Sequence, residues 1–345
     1  MSIILLLIIL AILVLSHEFG HFIVAKRAGI KVEEFGLGLP PRIAGYLWRG
    51  TLYSINWIPF GGFVRIYGED PTSTEEFQAG NSFVSKSKPV QAMVLVAGIV
   101  CNLILALLLM WAGLQAGLPV SVSDFEQHQA SIQNRRLIIT ATLPGSPADT
   151  AGVPYGAKIL NFQTAEEVVE FAREHRQESV DLVTDKGKFV LVPDPLLGIE
   201  MDVVGDIYLS PLRAIPESIK VTTKLTSDIA FGIGHFLFDF LRGEGSLSGI
   251  VGPVGIAGVI GEASKQGFAS IILITIILSL SLAVINLVPF PALDGGRLLF
   301  VIIEAIKGSP IKRGIANAIN LVGFSLLILL MLVITYRDIV HVISA

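Results

Sequence analysis

Two histidines and a glutamate form the pattern His17-Glu18-Phe19-Gly20-His21 inside an otherwise uncharged apolar segment. In a helix, side chains four positions apart lie on one face, so His17 and His21 could both bind one metal ion. Glu18 lies close enough to act as a base toward a water molecule on that metal. A charged side chain at the centre of a membrane helix costs about 3 kcal/mol, so a functional role is expected. The pattern predicts a metalloprotease that works within the membrane.

The composition indicates a membrane protein with a modest soluble portion. Of the 345 residues, 52% are hydrophobic and only 16% are charged, and the mean hydropathy is +0.70. A soluble domain carries about 25% charged residues. The net charge of −4 argues against a nucleic-acid partner. The single cysteine, Cys101, can form no disulfide within the chain and is expected to be a small core residue.

Four apolar segments are long enough to cross a bilayer, which takes about 20 helical residues. They cover residues 2–25, 90–118, 268–289 and 315–336. We therefore expect a polytopic α-helical protein with two membrane halves, residues 1–118 and 268–345. The first segment lacks a preceding basic region and a small-residue cleavage site, so we expect a retained helix instead of a signal peptide.

Basic residues predict the orientation of these segments. They cluster in the loop of residues 26–88 and again after the third segment, at Arg297, Lys307, Lys312 and Arg313. Loops rich in lysine and arginine stay in the cytoplasm, which places both termini and residues 119–267 outside. The histidine pair then lies toward the cytoplasmic side of the bilayer.

The first cytoplasmic loop contains two β-prone runs within residues 52–67, separated by Gly61 and Gly62. The proline and glycines between the runs predict a β-hairpin. Its apolar character indicates contact with lipid headgroups or with the protein near the active site. The alternative is an ordinary surface hairpin without a role in function.

The outer region begins with a small α/β module at residues 119–205. Its pattern predicts strands at residues 137–142, 157–162, 180–183 and 189–192. It also predicts a helix over residues 165–175, capped by Thr164 and by Glu167 in a capping box.

Residues 206–267 follow as an amphipathic and re-entrant linker. Residues 210–241 predict a helix that is too charged to cross the membrane. It is expected either to lie on the outer membrane surface or to pack against the soluble module. Residues 249–255 are rich in glycine and predict a broken or re-entrant entry to the third span.

Two histidines leave a catalytic zinc ion one protein ligand short of the usual three. Asp294 is the best candidate, because Pro289 and Pro291 break the helix and Gly295 and Gly296 allow close backbone approach. The break would place Asp294 at the depth of the histidines. Taken alone, the segment would be an Asp-Gly turn at the start of a loop. The incomplete metal site favours the ligand.

Asn102 and Asn286 are polar residues in or at the edge of apolar helices. Such side chains often form hydrogen bonds with neighbouring helices. Alternatively, they hold a substrate backbone or stabilise an oxyanion near the metal. The spacing alone favours neither role.

The motifs at residues 17–21 and 286–296, with a soluble module between them, resemble the site-2 protease family. The most similar type is the bacterial regulated intramembrane zinc metalloprotease with an outer PDZ domain. The resemblance implies that His17, His21 and Asp294 bind Zn²⁺ and that Glu18 is the catalytic base. It also implies that Asn286 contacts substrate, and that the element near Gly61 and Gly62 pairs with an unwound substrate. The resemblance also implies a substrate-binding role for Asn102, but the match is poorer there. Family members often have Gly-Pro before this asparagine, whereas this chain has Gly98-Ile99.

The fold expected from these arguments has four transmembrane helices, a membrane-associated β-hairpin on the cytoplasmic side and one extracytoplasmic PDZ-like α/β domain. By resemblance, the substrates are single-span membrane proteins: anti-sigma factors already clipped outside, or remnant signal peptides. The protein is then a multi-pass component of the bacterial inner membrane. The alternative is a non-proteolytic metal-binding scaffold or transporter. A transporter should show paired broken helices in two similar halves, and the sequence shows no such repeat.

Overall fold

A computed structural model describes residues 2–69, 79–143, 145–154, 156–244 and 251–344. The chain divides into two compact units. One combines Met1–Trp111 with Ile215–Ala345, and the other is Ala112–Ala214. Each unit has its own core.

In the part of the chain that the structure describes, four helices have the length and composition to cross a membrane, as predicted. They are Ser2–Arg27, Lys88–Ala116, Phe268–Leu287 and, within a longer helix, Gly314–Val340. The helices of the first unit are α1 (Ser2–Arg27), α2 (Lys88–Ala116), α6 (Pro253–Gln266), α7 (Phe268–Leu287), α8 (Asp294–Lys307) and α9 (Arg313–Ser344). The second unit begins within α2.

The buried side of α1 is a stripe at helical spacing. Leu6, Ile9 and Leu13 pack against Ile260 of α6 in one core cluster. The same stripe continues into His17 and His21, which are 7% and 6% exposed. The motif therefore lies on the face that α1 turns toward the other helices, while the opposite face is also apolar and carries exposed residues such as Ile4 and Ile8.

The segment before α7 is a separate helix. Pro253 begins α6 and Gly267 ends it with a φ of +114°, a conformation that glycine adopts at no steric cost. The sequence predicted a broken entry to the third span at residues 249–255, but residues 253–255 are helical and the break lies at Gly267. Of the glycine-rich stretch 249–255, Gly249 and Ile250 lie outside the described residues.

The β-element between α1 and α2 is larger than the predicted hairpin, and its turn lies elsewhere. Strands β1 (Val32–Trp48) and β2 (Thr51–Ile66) are joined at residues 49–50 and bend so that they form a four-segment mixed sheet. In this sheet residues 34–37 run parallel to residues 52–55, and the other two pairings are antiparallel. The order of the segments is 62–66, 32–37, 52–56 and 42–48. The two runs expected to pair with each other around Gly61 and Gly62 lie instead on opposite sides of residues 32–37.

The pairing was wrong because residues 32–37 do not read as a strand in the sequence. Glu34 is 6% exposed, and it accepts a hydrogen bond of 2.6 Å from Ser54 Oγ and lies 3.6 Å from Arg65. Gly36 leaves room for the Phe63 ring, which a Cβ atom there would meet at 2.6 Å. Glutamate and glycine are uncommon in strands, so the sequence pattern does not predict the strand at residues 32–37. Its pairing partners lie far away along the chain.

The second unit contains two small antiparallel sheets. Strands β3 (Leu118–Ser121), β7 (Ile199–Ile207) and β4 (Ile132–Thr142) form one, and β5 (Val180–Thr184) and β6 (Gly187–Leu191) form the other. A 3₁₀ segment, Val122–Ser131, and two helices, α3 (Pro147–Thr150) and α4 (Ala165–Glu174), complete it before α5 (Pro211–Leu241) begins. The helix that Thr164 was expected to cap is present, and the Thr164 hydroxyl accepts a hydrogen bond from Glu167 N–H. The strand predicted at 157–162 is reduced to isolated bridges at Lys158 and Ile159.

Candidate active site

Three predicted ligands converge in the first unit. His17 Nε2 and His21 Nε2 lie 3.1 Å apart on successive turns of α1. Asp294 Oδ2 lies 2.8 Å from His17 Nε2 and 3.3 Å from His21 Nε2. Among the described residues, these three form the group of histidine, cysteine and acidic side chains that could hold a metal ion. The aspartate reaches the pair from 277 positions along the chain.

The donor set fits a zinc ion. Bonds of about 2.1 Å in a tetrahedral site place neighbouring ligand atoms about 3.4 Å apart, close to the separations of the three atoms here. His21 Nδ1 lies 2.8 Å from the Val94 carbonyl oxygen. That carbonyl accepts the Nδ1 proton, which leaves the Nε2 lone pair of His21 directed at the other two ligands.

The chain between α7 and α8 positions Asp294. Here α7 ends at Leu287, and Asp294 is the first residue of α8. A Cβ at Gly295 would lie 2.3 Å from the Val288 carbonyl oxygen, and one at Gly296 would lie 2.2 Å from that of Phe290. The two glycines therefore let α8 fold back tightly on the connection, which a side chain would prevent.

The charge on Asp294 is favoured by its neighbours. Burial alone would raise the pKa of this carboxyl group, but the neighbouring His17 and His21 outweigh burial and hold the pKa below its ordinary value. Asp294 is therefore ionised and available as a ligand at neutral pH.

Glu18 points toward the sheet. The backbone N–H of Val64 donates a 2.9 Å hydrogen bond to Glu18 Oε2. Val64 belongs to segment 62–66, the outer segment of the sheet, whose other side pairs with residues 32–37. A backbone donor therefore fixes the carboxylate of Glu18 beside the three ligands.

These groups share one open cavity of about 560 Å³. The cavity is lined by the two histidines, Glu18 and Asp294, and by residues of the outer segment 62–66. Charged residues outside that segment also line it, and they are Glu33, Glu69 and Arg297. Arg297 forms an ion pair with Glu69. The cavity thus places a candidate metal site, a carboxylate and an accessible strand edge side by side.

The remaining predicted site residues are not among the lining residues of this cavity. Gly62 begins the outer segment and pairs with Leu37, while Gly61 has a φ of +81°. Asn286 is half-buried in the last turn of α7. Asn102 is fully buried in α2, so a direct contact with substrate conflicts with its position.

Several residues of the site carried no signal in the sequence analysis. Gly98 of α2 faces the histidines so closely that a Cβ there would lie 2.4 Å from His21 Nε2 and 2.8 Å from His17 Cε1. Val64 and Val94 act through backbone atoms, which no side-chain pattern reveals. In the sequence analysis Arg297 served only as one of the basic residues that predict the membrane orientation. Its i, i+3 spacing from Asp294 nevertheless places both residues on one face of α8.

The profile of peptidase family M50 matches residues 5–330. The chain belongs to this family, the site-2 proteases. The zinc metalloprotease RasP of Oceanobacillus iheyensis is 30% identical, over 96% of this chain and 97% of that protein. RasP of Geobacillus kaustophilus is 28% identical over 98% of this chain and 97% of its own. A protein of Clostridium perfringens is 33% identical over 99% of both chains.

Membership in family M50 decides the activity. The chain is a zinc-dependent intramembrane protease and a multi-pass membrane protein. The expected metallopeptidase activity and the expected zinc cofactor are thereby confirmed. The scaffold and transporter alternatives are set aside.

Proposed function

We propose that His17, His21 and Asp294 hold the zinc ion, that Glu18 is the catalytic base, and that the substrates are single-span membrane proteins cut within their transmembrane helices. The observation that carries the assignment is the convergence of three ligand atoms, 2.8 to 3.3 Å apart, beside the Glu18 carboxylate. Two of the ligands come from the first helix and the third from a helix near the end of the chain.

The chemistry divides between the metal and the protein. When bound, zinc acts as a Lewis acid on the scissile carbonyl and lowers the pKa of water in the site to about 7. Glu18 accepts the proton of the attacking water and later donates it to the leaving amine. The Val64 N–H keeps the Glu18 carboxylate aimed into the cavity during both transfers.

Substrate is expected to bind as an added strand. A peptide bond within a helix hides its carbonyl group, so the helix must unwind before it is cut. The freed backbone groups then need new partners in a site surrounded by lipid. Segment 62–66 offers one, because its inner side pairs with residues 32–37 while its outer side faces the cavity.

Three further residues support this binding mode. Gly61 and Gly62, at the start of the outer segment, keep the entrance to the strand edge free of side chains. Asn286 lies at the end of α7, half-buried, where its amide could bind a substrate backbone group. The apolar segment 42–48 at the opposite edge, where Tyr46 is 72% exposed, would contact lipid headgroups.

We further propose the orientation and the domain roles given by the sequence. The cavity opens toward the cytoplasm of a bacterial cell, the protein resides in its inner membrane, and residues 119–205 form a PDZ-like domain outside. This domain filters access to the site. The linker of residues 206–267 follows it, with the exposed apolar side chains of α5, such as Phe231 and Phe240, against the outer leaflet. Suitable substrates are anti-sigma factors already clipped outside, or remnant signal peptides.

Cleavage of single-span model substrates by the purified protein in detergent tests the proposal. Wild-type protein with zinc should cut within the span, and both chelation and Glu18→Gln should abolish cutting. Bound zinc is measured in parallel, because Glu18→Gln should retain the metal. Retained cutting by Glu18→Gln would refute the assigned base, and cutting only outside the span would refute the intramembrane substrate.

A further inference from the structure

The two histidines differ in how their second ring nitrogens are held. His21 Nδ1 is paired with the Val94 carbonyl of α2. His17 Nδ1 is buried and, within the described part of the chain, has no hydrogen-bond partner. A histidine that binds a metal almost always donates its other N–H to an acceptor, which fixes the tautomer and the ring orientation. His17 therefore needs an acceptor that the direct contacts do not supply.

The side chain of Asn102 also lacks hydrogen-bond partners. It is fully buried, and both polar atoms of its side chain are without a partner among the described residues. An unpaired polar group in such a setting costs about 1–3 kcal/mol, so a specific use of the amide is expected. Substrate cannot be that use, because the side chain is closed off from the cavity.

The helix geometry brings the two groups to the same place. Val94, Gly98 and Asn102 are spaced by four residues and therefore lie on one face of α2. This face contacts the histidines, since Val94 pairs with His21 and a Cβ at Gly98 would lie 2.8 Å from His17 Cε1, the ring atom between Nδ1 and Nε2. Asn102 is the next residue along that face, in the direction of His17.

The backbone of α2 is fixed at this level. Ser279 Oγ of α7 donates a 2.9 Å hydrogen bond to the Asn102 carbonyl oxygen, and Ser16 Oγ of α1 donates to that of Cys101 at 3.4 Å. The peptide groups of α2 are thus tied to both neighbouring helices, while the Asn102 side chain is left for another partner.

We propose that Asn102 is the hydrogen-bond partner of His17 Nδ1, reached by rotation of the amide or through one bridging water. The inference rests on the proposed role of His17 as a zinc ligand. The Asn102 oxygen accepts the Nδ1 proton, so the Nε2 lone pair of His17 stays directed at Asp294 and the metal. Asn102 is a positioning residue, which does for His17 what the Val94 carbonyl does for His21.

The test measures zinc affinity by competition with a chelator, in the full-length protein in detergent. Asn102→Leu keeps the volume but removes the acceptor, and it should weaken zinc binding about 10- to 100-fold. Asn102→Asp keeps an oxygen at the same distance from the backbone and should bind within about threefold of wild type. Ser279→Ala alters the same level of the helix bundle without touching the amide, and it should leave zinc affinity unchanged.

Thermal unfolding of the metal-free proteins separates positioning from packing. Asn102→Leu should still unfold cooperatively without the metal, with a loss of no more than about 1–3 kcal/mol for the His17 N–H left without an acceptor. A folded metal-free variant shows that its weaker zinc binding is not a loss of the fold. Wild-type zinc affinity in Asn102→Leu, or a loss equalled by Asn102→Asp, would overturn the inference. His17→Ala is the reference for the ligand set. Loss of zinc there with full affinity in Asn102→Leu refutes only the role of Asn102, whereas zinc retained in His17→Ala refutes the ligand set as well.

Discussion

A methyl group at Gly98 should displace both histidines of the metal site. The Cβ of an alanine would lie 2.4 Å from His21 Nε2 and 2.8 Å from His17 Cε1. Ordinary contact begins at 3.4 Å, so the His21 ring must retreat by about 1 Å. Separating the helices to absorb this would break their close packing at the same level, where a Cβ at Gly20 of α1 would meet the Ala97 carbonyl oxygen at 2.2 Å.

The size of that shift sets the expected loss. Zinc sites tolerate ligand distances that deviate by about 0.2 Å, several times less than the displacement. We expect Gly98→Ala to lower zinc affinity by at least 100-fold and proteolysis by a similar factor, since a 1 Å misplacement alone costs about 100-fold in rate. Overpacking should also cost about 1–3 kcal/mol of stability, measured as a lower Tm.

The assay is chelator competition for zinc, followed by cleavage of a single-span substrate in zinc excess. Gly258→Ala is the matched control, because Gly258 lies in helix α6 with open space where its Cβ would be. This variant should retain zinc and activity. If Gly98→Ala bound zinc with wild-type affinity, the reasoning that α2 leaves no room behind the histidines would be refuted.

Two further changes probe the surroundings of Glu18 and Asp294. Val64→Pro removes the N–H that holds Glu18, so kcat should fall at least tenfold, a fraction of the 10²- to 10⁴-fold contribution of a positioned base. Zinc content measured by metal analysis should not change. Arg297→Glu breaks the ion pair with Glu69 and should lower the free energy of unfolding by about 1 kcal/mol, a value reduced by the partial exposure of both side chains. The charge swap Arg297→Glu with Glu69→Arg should recover most of the lost Tm and activity.

Each of these changes has its own control. Val64→Ala keeps the N–H and should retain kcat, and equal losses in the alanine and proline variants would contradict the role of the backbone donor. For the ion pair, a double variant no better than the two single variants combined would show that Arg297 and Glu69 do not act together.

The three ligands could be predicted from the sequence because they depend on helical spacing and on the expected depth of each residue in the membrane. Helical spacing placed His17 and His21 on one face, and that required no knowledge of any other element. Asp294 needed one more step, the match between a proline-broken helix end and the depth of the histidines. The structure brings all three within hydrogen-bonding distance or close to it.

The sheet and the packing around the ligands could not be predicted in the same way. Segment 32–37 contains a buried glutamate whose partners, Ser54 and Arg65, are distant in sequence, so its own residues do not favour a strand. Gly98 is required by contacts between helices, and a glycine in an apolar helix shows no such requirement by itself. Features that depend on contacts between residues distant in sequence, such as this strand and Gly98, could therefore not be predicted from the local pattern.

The separation of the ligands along the chain also has a consequence for biosynthesis. His17 and Asp294 are 277 positions apart, so the first helix enters the membrane long before the third ligand exists. At about 5–20 residues per second, the ribosome needs about 14–55 seconds to add that length. Through this interval the nascent chain holds only two of the three proposed zinc ligands, which are too few to retain zinc for catalysis. The protease therefore stays inactive while its own second and third spans are being made and inserted beside the first.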